Sequence, residues 1–465
     1  MPVHFTEEEV LGAVEGHLLR SARMPLLTNV CTDTRALTRG CLFVALEGER
    51  FDAHAFVAQA AAAGAGAALV ARGRTLPETP DGFGLYVVEN TLEALGQLAH
   101  VHRRRFSLPV GAVGGSNGKT TAKEMVGAIL ETRGPALKTE GNFNNEIGVP
   151  LTLFRLAPEH VAAVVELGMN HAGEMTRLTA MCEPDAALLT VIQPEHLEGL
   201  GSLEGVAAAE GELFEGLAAG TTAVVNLDDP HLVTQARRTR ATQLTFGRHP
   251  HAAVRLIASE PRGRVGQWMD VAYAGGRCRV ALPFLGAHNA LNATGAFALG
   301  VALGYPMDAC VAGLEAARPY ARRLNVLEAP GEITVLDDCY NANPASMQAA
   351  LETLETLVPK GAQRVAVLGD MLELGLSETE DHAALGAFAR EHTDVVAYFG
   401  PRSLAAFRAH GERGQVRHFD EIGPLLAWLT RLLHAGDVVL VKASRGMRLE
   451  RVVEALTAQA PGKGH

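Results

Sequence analysis

Short, uninterrupted apolar runs recur along the chain, and several stop abruptly at polar or reactive residues: VGAVGGSNGKTT, VAAVVELGMN, AALLTVIQPEH, TAVVNLDDP, ITVLDDCYNANP, RVAVLGDMLELG and DVVLVKASRG. Continuous runs, rather than alternation, mark strands buried on both faces, as in parallel sheets. Helical periodicity lies between many of them, as in TAKEMVGAILETRG and HAALGAFAREHTD, so the pattern predicts an α/β fold. Open α/β sheets bind ligands beyond the carboxyl ends of their strands, which is where these polar clusters fall.

The pattern divides into three expected domains. Residues 1–105 carry LFVAL and LYVVEN strands around an Ala-rich helix and finish in the basic HRRRF and an SLPV linker. Residues 106–315 open on a strand, a glycine loop and a helix. Within them, RLIASEPRGRVGQWMDVAYAGGRCRVALPF alternates and turns at Gly275-Gly276, which predicts a small antiparallel patch. Residues 316–465 hold three further strand-to-loop transitions.

Composition supports this division: 465 residues, 48% hydrophobic and 20% charged, can bury large cores in about three domains, which excludes disorder and fibrous folds. A net charge of −11, from 41 basic and 52 acidic residues, argues against nucleic acid as the main partner but leaves room for a small bound nucleotide. The six cysteines, at 31, 41, 182, 278, 310 and 339, include no C-x-x-C pair, so reduced thiols are expected, with neither a disulfide frame nor a zinc ribbon. MPVHFTEEEV lacks a signal region, and the apolar stretch Ala55 to Ala71 is mostly Ala and Gly around Gln59. It reads as a buried helix running into a strand, and the expectation is a cytoplasmic chain without a membrane span.

Gly111 to Thr121, GAVGGSNGKTT, has the strand-before, helix-after context of a phosphate-binding loop, although Val113 stands where the strict motif has its first glycine. Small residues let the N–H groups of Gly115, Ser116, Asn117 and Gly118 close on phosphates, and the helix start adds positive potential. Lys119 is expected to reach the β- and γ-phosphates, the Thr120 hydroxyl to ligate Mg²⁺, and Thr121 to belong to the ATP-binding loop with them. Glu166 ends the next strand and His196 lies just past the one after. Strand order can bring both to the loop mouth as metal ligands, although nitrogen is an unusual choice for so hard a cation.

In the order GGSNGKTT, TEGNFNNEIGVPLTL, ELGMNHAGEM, PEHLEGLGSLEGVAAAEGELF, NLDDP, GAHNALNATGAFA, DDCYNANPASMQAAL, LGDMLELG and LVKASRGMRLE, residues 32–450 resemble the Mur ligases, ATP-dependent peptide ligases of peptidoglycan synthesis. YNANP and GDMLELG resemble the branch that adds D-alanyl-D-alanine, and the chain lacks the D-N-P-R of the branch that adds the third stem residue. The resemblance implies a central P-loop-type wound sheet and a Rossmann-like C-terminal domain. It also implies that ATP activates UDP-N-acetylmuramoyl-tripeptide as an acyl phosphate for attack by D-alanyl-D-alanine. ATP and Mg²⁺ are the implied cofactors, and a monomer is the implied working unit. Thr120 and Glu166 would hold one metal, and Glu166 and His196 the second. ATP contacts from the second and third domains imply closure between them. Rival readings are a folylpolyglutamate synthase-like ligase and a non-catalytic Mur-like binding protein.

Two departures stand out. Many members carry a CO₂-carbamoylated lysine where this chain has Glu210, so Glu210 is expected to supply the second metal's carboxylate directly. Many also have threonine at Gly114, a change expected only to loosen the loop. Of His288, Asn289 and Asn292, which share a helical face, the resemblance makes Asn289 the adenine contact. It makes Arg323 the arginine that reaches ATP, and Asp338, rather than Asp337 on the opposite strand face, the residue near the nucleotide. Tyr340, Asn341, Asn343 and Pro344 read as a turn offering amides to the cleft or as a purely structural one. Asp370 and Glu373, and Lys442, Ser444 and Arg445, end two further strands as dipeptide or phosphate sites or as ordinary loop surface. TDTR, with Thr34 and Arg35, and LEGERFDAH, with Gly48, Asp52 and His54, resemble segments that bind the uridine diphosphate end. Asn142, Asn144 and Asn145 are expected to hold the same substrate from the central domain.

Overall fold

A computed structural model describes residues 3–48 and 51–458; Glu49 and Arg50 of LEGERFDAH lie outside the described residues. The apolar runs form the middles of three sheets. The first has five strands, in which Val30–Cys31, Leu42–Val44, Ala67–Ala71 and Gly84–Val88 run parallel and His17–Arg20 adds an antiparallel edge. Ala53–Phe56, Val57–Ala62 and the strand Ala67–Ala71 account for the Ala-rich stretch, and none of the described helices is long and apolar enough to cross a membrane.

The second sheet has nine strands and centres on Val110–Gly114, with Ala162–Glu166 on one side and Ala186–Leu189 on the other, all parallel. Glu166 pairs in register with Val113, and Leu189 with Gly114. The two neighbouring strands therefore deliver their following residues to the two flanks of the glycine loop. At the far edge, Val254–Pro261, Gln267–Tyr273 and Gly276–Leu282 form the expected antiparallel patch.

The third sheet has six strands, parallel except for the edge strand Asn325–Ala329. Asp338 pairs in register with Lys442, so the YNANP turn and the ASRG loop leave the sheet side by side.

The basic HRRRF segment is partly built into the fold: His102 and Arg103 are buried, and Arg104 and Arg105 are exposed. Arg103 ends the helix Thr91–Arg103, is buried, and donates through Nε to the Cys182 carbonyl at 3.0 Å. One apolar core runs from Phe5 and Leu98 into Val110 and Leu178, so the first sheet and the central sheet share packing through this helix. All six cysteines are free thiols.

Candidate functional site

The glycine loop turns sharply after Gly114. Gly115 has φ +111°, and a Cβ there would lie 2.3 Å from Thr190 Oγ1, so only glycine fits. The Ser116 N–H donates to the Val191 carbonyl at 2.8 Å, and the Ser116 hydroxyl accepts from Gln193 N at 2.9 Å. Gly118 precedes the helix Lys119–Leu130, whose first turn carries the buried Thr120 and Thr121. Asn292 seats against Gly118, where a Cβ would meet its Oδ1 at 2.6 Å. Asn289 is turned inward instead: its Nδ2 donates to the Leu285 carbonyl at 2.8 Å and its Oδ1 accepts from Asn292. Neither caps the helix Ala287–Ala302, whose N-cap is Gly286.

Lys119 Nζ folds back onto its own loop, donating to the Gly115 carbonyl at 2.6 Å and the Ser116 carbonyl at 3.3 Å, and it pairs with Glu195 at 3.3 Å. Burial works against its charge, but Glu195, Glu210 and Glu166 more than offset that and hold its pKa above the ordinary lysine value. Glu166 Oε1 accepts from Asn144 Nδ2 at 2.9 Å, and Glu210 Oε2 accepts from Gly115 N at 2.9 Å. Each of these carboxylates leaves its other oxygen buried without a partner. Burial also raises the pKa of Glu210 and pushes Glu195 up to about 8, with Lys119 opposing both.

Glu195 was missed in the sequence, and its only signal was an acid beside His196. Gly114 corrects the expectation of a loosened loop: it is the space in which the Glu210 carboxylate lies, 3.0 Å from where a Cβ would be.

His196 stands at φ +50° before the short helix Leu197–Leu200, and its Nδ1 contacts Glu373 Oε2 across the cleft at 3.2 Å. Burial and Lys119 lower its pKa, and Glu373 opposes. Among the described residues no three His, Cys, Asp or Glu side chains group closely enough to hold a metal ion. The expected ligands thus flank the loop without converging.

From the C-terminal side, Asn343 caps the helix Pro344–Leu357 in a reciprocal box with Ser346, and its amide exchanges hydrogen bonds with Asn117 at 3.0 and 3.2 Å. The YNANP turn is thus both structural and part of the cleft. The Tyr340 ring lies under the Arg323 guanidinium at 4.2 Å and the Arg445 guanidinium at 5.4 Å, and Arg323 Nε is buried without a partner. Asn341 gives its carbonyl to Lys442, whose Nζ also pairs with Asp338 Oδ2 at 2.6 Å. Asp338 Oδ1 accepts from Leu324 N at 3.2 Å. Lys442 and Asp338 are therefore engaged with each other rather than offered to a ligand. Ser444 is also taken up, accepting from Leu372 N and donating to the Ala342 carbonyl.

Thr34, Gly48 and Asp52 follow two adjacent parallel strands of the first sheet at their carboxyl ends. Arg35 is exposed and paired with Asp33. Asp52 caps the turn Ala53–Phe56. His54 is buried with both ring nitrogens used, Nδ1 by Asp52 and Nε2 by Ala71 N–H at 2.8 Å, so it holds the loop and faces no ligand. Asn142 is exposed, Asn144 orients Glu166, and Asn145 Oδ1 accepts from Gly148 N at 2.8 Å, just ahead of the helix Gly148–Leu153.

A phosphate loop facing a second α/β unit across a cleft can bind and activate through a nucleotide. The Mur ligase middle domain matches residues 113–300, and the Mur ligase glutamate ligase domain matches residues 322–445. The chain belongs to the Mur ligase family. It is 37% identical to the UDP-N-acetylmuramoyl-tripeptide–D-alanyl-D-alanine ligase of Bacillus subtilis, over 97% of this chain and 98% of that one. It is 40% identical to the Escherichia coli ligase of the same name, over 92% and 94%. A crystal structure of MurF from Acinetobacter baumannii, 32% identical, superposes with a TM-score of 0.90 over 98% of this chain and all of that one. As in other Mur ligases, the reaction of this chain depends on ATP.

Proposed function

We propose that this chain joins D-alanyl-D-alanine to UDP-N-acetylmuramoyl-tripeptide at the expense of ATP, in peptidoglycan synthesis. One observation carries the reading: a single glycine loop is bordered by two carboxylates with free buried oxygens and by the YNANP turn, in a chain alike over nearly its whole length to ligases of that name.

A carboxylate anion is a poor electrophile, so the terminal carboxylate of the tripeptide must first be activated. Transfer of the γ-phosphoryl group of ATP gives an acyl phosphate; the amine of D-alanyl-D-alanine attacks it, and phosphate leaves from a tetrahedral intermediate. The protein contributes position and electrostatics. Loop N–H groups hold the phosphates at the helix start, and Lys119 exchanges its Gly115 and Glu195 contacts for phosphoryl oxygens. Arg323 and Arg445, stacked on Tyr340, present a second positive edge to the nucleotide and dipeptide.

The residues fit Mg²⁺. Glu166 Oε2 and Glu210 Oε1 are hard oxygen donors, buried and without partners. Thr120 and Glu166 would hold one ion, and Glu166 and His196 a second, with Glu210 supplying that second ion's further carboxylate. When bound, the metal offsets charge on the phosphoryl group. Thr34, Gly48 and Asp52 at the strand ends of the first sheet would receive the uridine diphosphate end, with Asn142 nearer the loop. The reaction belongs in the cytoplasm, with a single chain as the working unit.

Phosphate release tests the reading. It requires both UDP-N-acetylmuramoyl-tripeptide and D-alanyl-D-alanine; release with a folate and glutamate, or no release with any acceptor, overturns it.

A further inference from the structure

Glu210 lies on the helix Leu203–Glu215, is 1% exposed, and reaches the underside of the phosphate loop. Its Oε2 accepts the Gly115 N–H at 2.9 Å, while its Oε1 is buried and unpartnered. The contact exists because residue 114 has no side chain. A Cβ there would lie 3.0 Å from Glu210 Oε2, 2.9 Å from Leu189 Cδ2 and 3.3 Å from Leu213 Cδ2. Little around it can retreat: Leu189 and Leu213 are fully buried, Leu189 is locked in register with Gly114, and the carboxylate is tied to the loop.

We propose that Gly114 and Glu210 are a matched pair, in which Glu210 is a positioning residue of the phosphate loop. Its Oε2 fixes the amide at the loop's sharpest turn, and that bond holds Oε1 as the oxygen left for a cation. The proposal rests on the reading of this loop as a Mg²⁺-nucleotide site. It assigns two separable tasks to one side chain. The hydrogen bond needs an acceptor, which a glutamine also supplies, whereas the cation needs the charge. A side chain at 114 defeats both tasks, because it displaces the carboxylate.

The test is ADP binding by calorimetry, in EDTA and in Mg²⁺, with the melting temperature of each unliganded variant confirming that it folds. Glu210→Gln keeps wild-type ADP affinity in EDTA but loses on the order of ten- to a hundredfold of the gain that Mg²⁺ brings. Gly114→Ala weakens ADP binding about tenfold under both conditions. In a Glu210→Ala background the same Gly114→Ala change costs at least about threefold less, because Leu213 can move into the vacated space. Equal cost of Gly114→Ala in both backgrounds overturns the pairing, as does a Glu210→Gln variant whose Mg²⁺ gain is unchanged. Failure of the wild-type chain to bind ADP with Mg²⁺ instead overturns the nucleotide-site reading beneath it.

Discussion

Two lysines stand on opposite sides of the cleft, and their surroundings differ in kind. Lys442 ends a strand of the C-terminal sheet against one carboxylate, and its Nζ is used by Asp338 Oδ2 and the Asn341 carbonyl. Burial lowers its pKa, and the single acid only partly opposes that. Lys119 faces Glu195, Glu210 and Glu166, which together hold its pKa above the ordinary value, and two of those acids keep an oxygen without a partner. One group is closed and satisfied; the other has more acid than its single base can use. A closed pair builds a loop, and an open one is arranged to receive charge from outside.

Substituting each lysine tests this contrast most strongly. Lys119→Met lowers phosphate release by about three to four orders of magnitude, because the transferring phosphoryl group loses its cation. The fold survives, since burial pushes Glu195 up to about 8 and this partner of Lys119 can stay neutral without it. Lys442→Met does the reverse: it strands Asp338 beneath the Leu324 amide and costs roughly 3–5 kcal/mol in denaturant melts. A Lys442→Met chain that melts normally yet has lost activity would place Lys442 among the ligand contacts and erase the distinction.

The pH dependence of stability sharpens it. Glu195 is pushed up to about 8, so the folded chain keeps a proton that the unfolded chain releases at ordinary carboxylate pH. The unfolded state binds fewer protons between roughly pH 4.5 and 8, and by linkage this group makes stability fall as pH rises through that window. Glu195→Gln removes that slope, so the variant gains on wild type by about 2 kcal/mol toward pH 8 and not below pH 4. Parallel curves for the two proteins would mean that Lys119 already satisfies Glu195 as fully as Asp338 satisfies Lys442.

The sequence made the open site legible and the closed one misleading, for a physical reason. Strand ends can be read from where apolar runs stop, and parallel order carries Glu166 and His196 toward the loop, so their placement was legible from topology. How a side chain spends its hydrogen bonds is set by tertiary neighbours that no local pattern encodes. Lys442, Ser444 and His54 look like ligand contacts as letters, yet in the fold each spends its hydrogen bonds on a neighbouring segment. Glu195 had only its place beside His196 as a signal, because its partner Lys119 is 76 residues away. Gly114 and Glu210 were both noticed as departures, but only the fold puts one against the other.

The smallest effect concerns how the two sides meet. Asn117 in the phosphate loop and Asn343 at the start of the C-terminal helix exchange hydrogen bonds, and His196 contacts Glu373 beside them. Asn343 is already committed to capping through Oδ1, so substituting it would confound closure with helix stability. Asn117→Ala leaves the cap intact and removes the bonds across the cleft, a change of about 1 kcal/mol, together with one bond to Gln193 on its own side, which Gln193→Ala removes alone as a control. If the open lysine site is completed by the C-terminal unit, Asn117→Ala raises the KM for ATP about fivefold with little change in kcat, and scattering of the nucleotide-bound chain shows a less compact particle. An unchanged KM would mean that the acid-rich site binds its nucleotide without help from the opposite wall, and that the clasp follows closure instead of driving it.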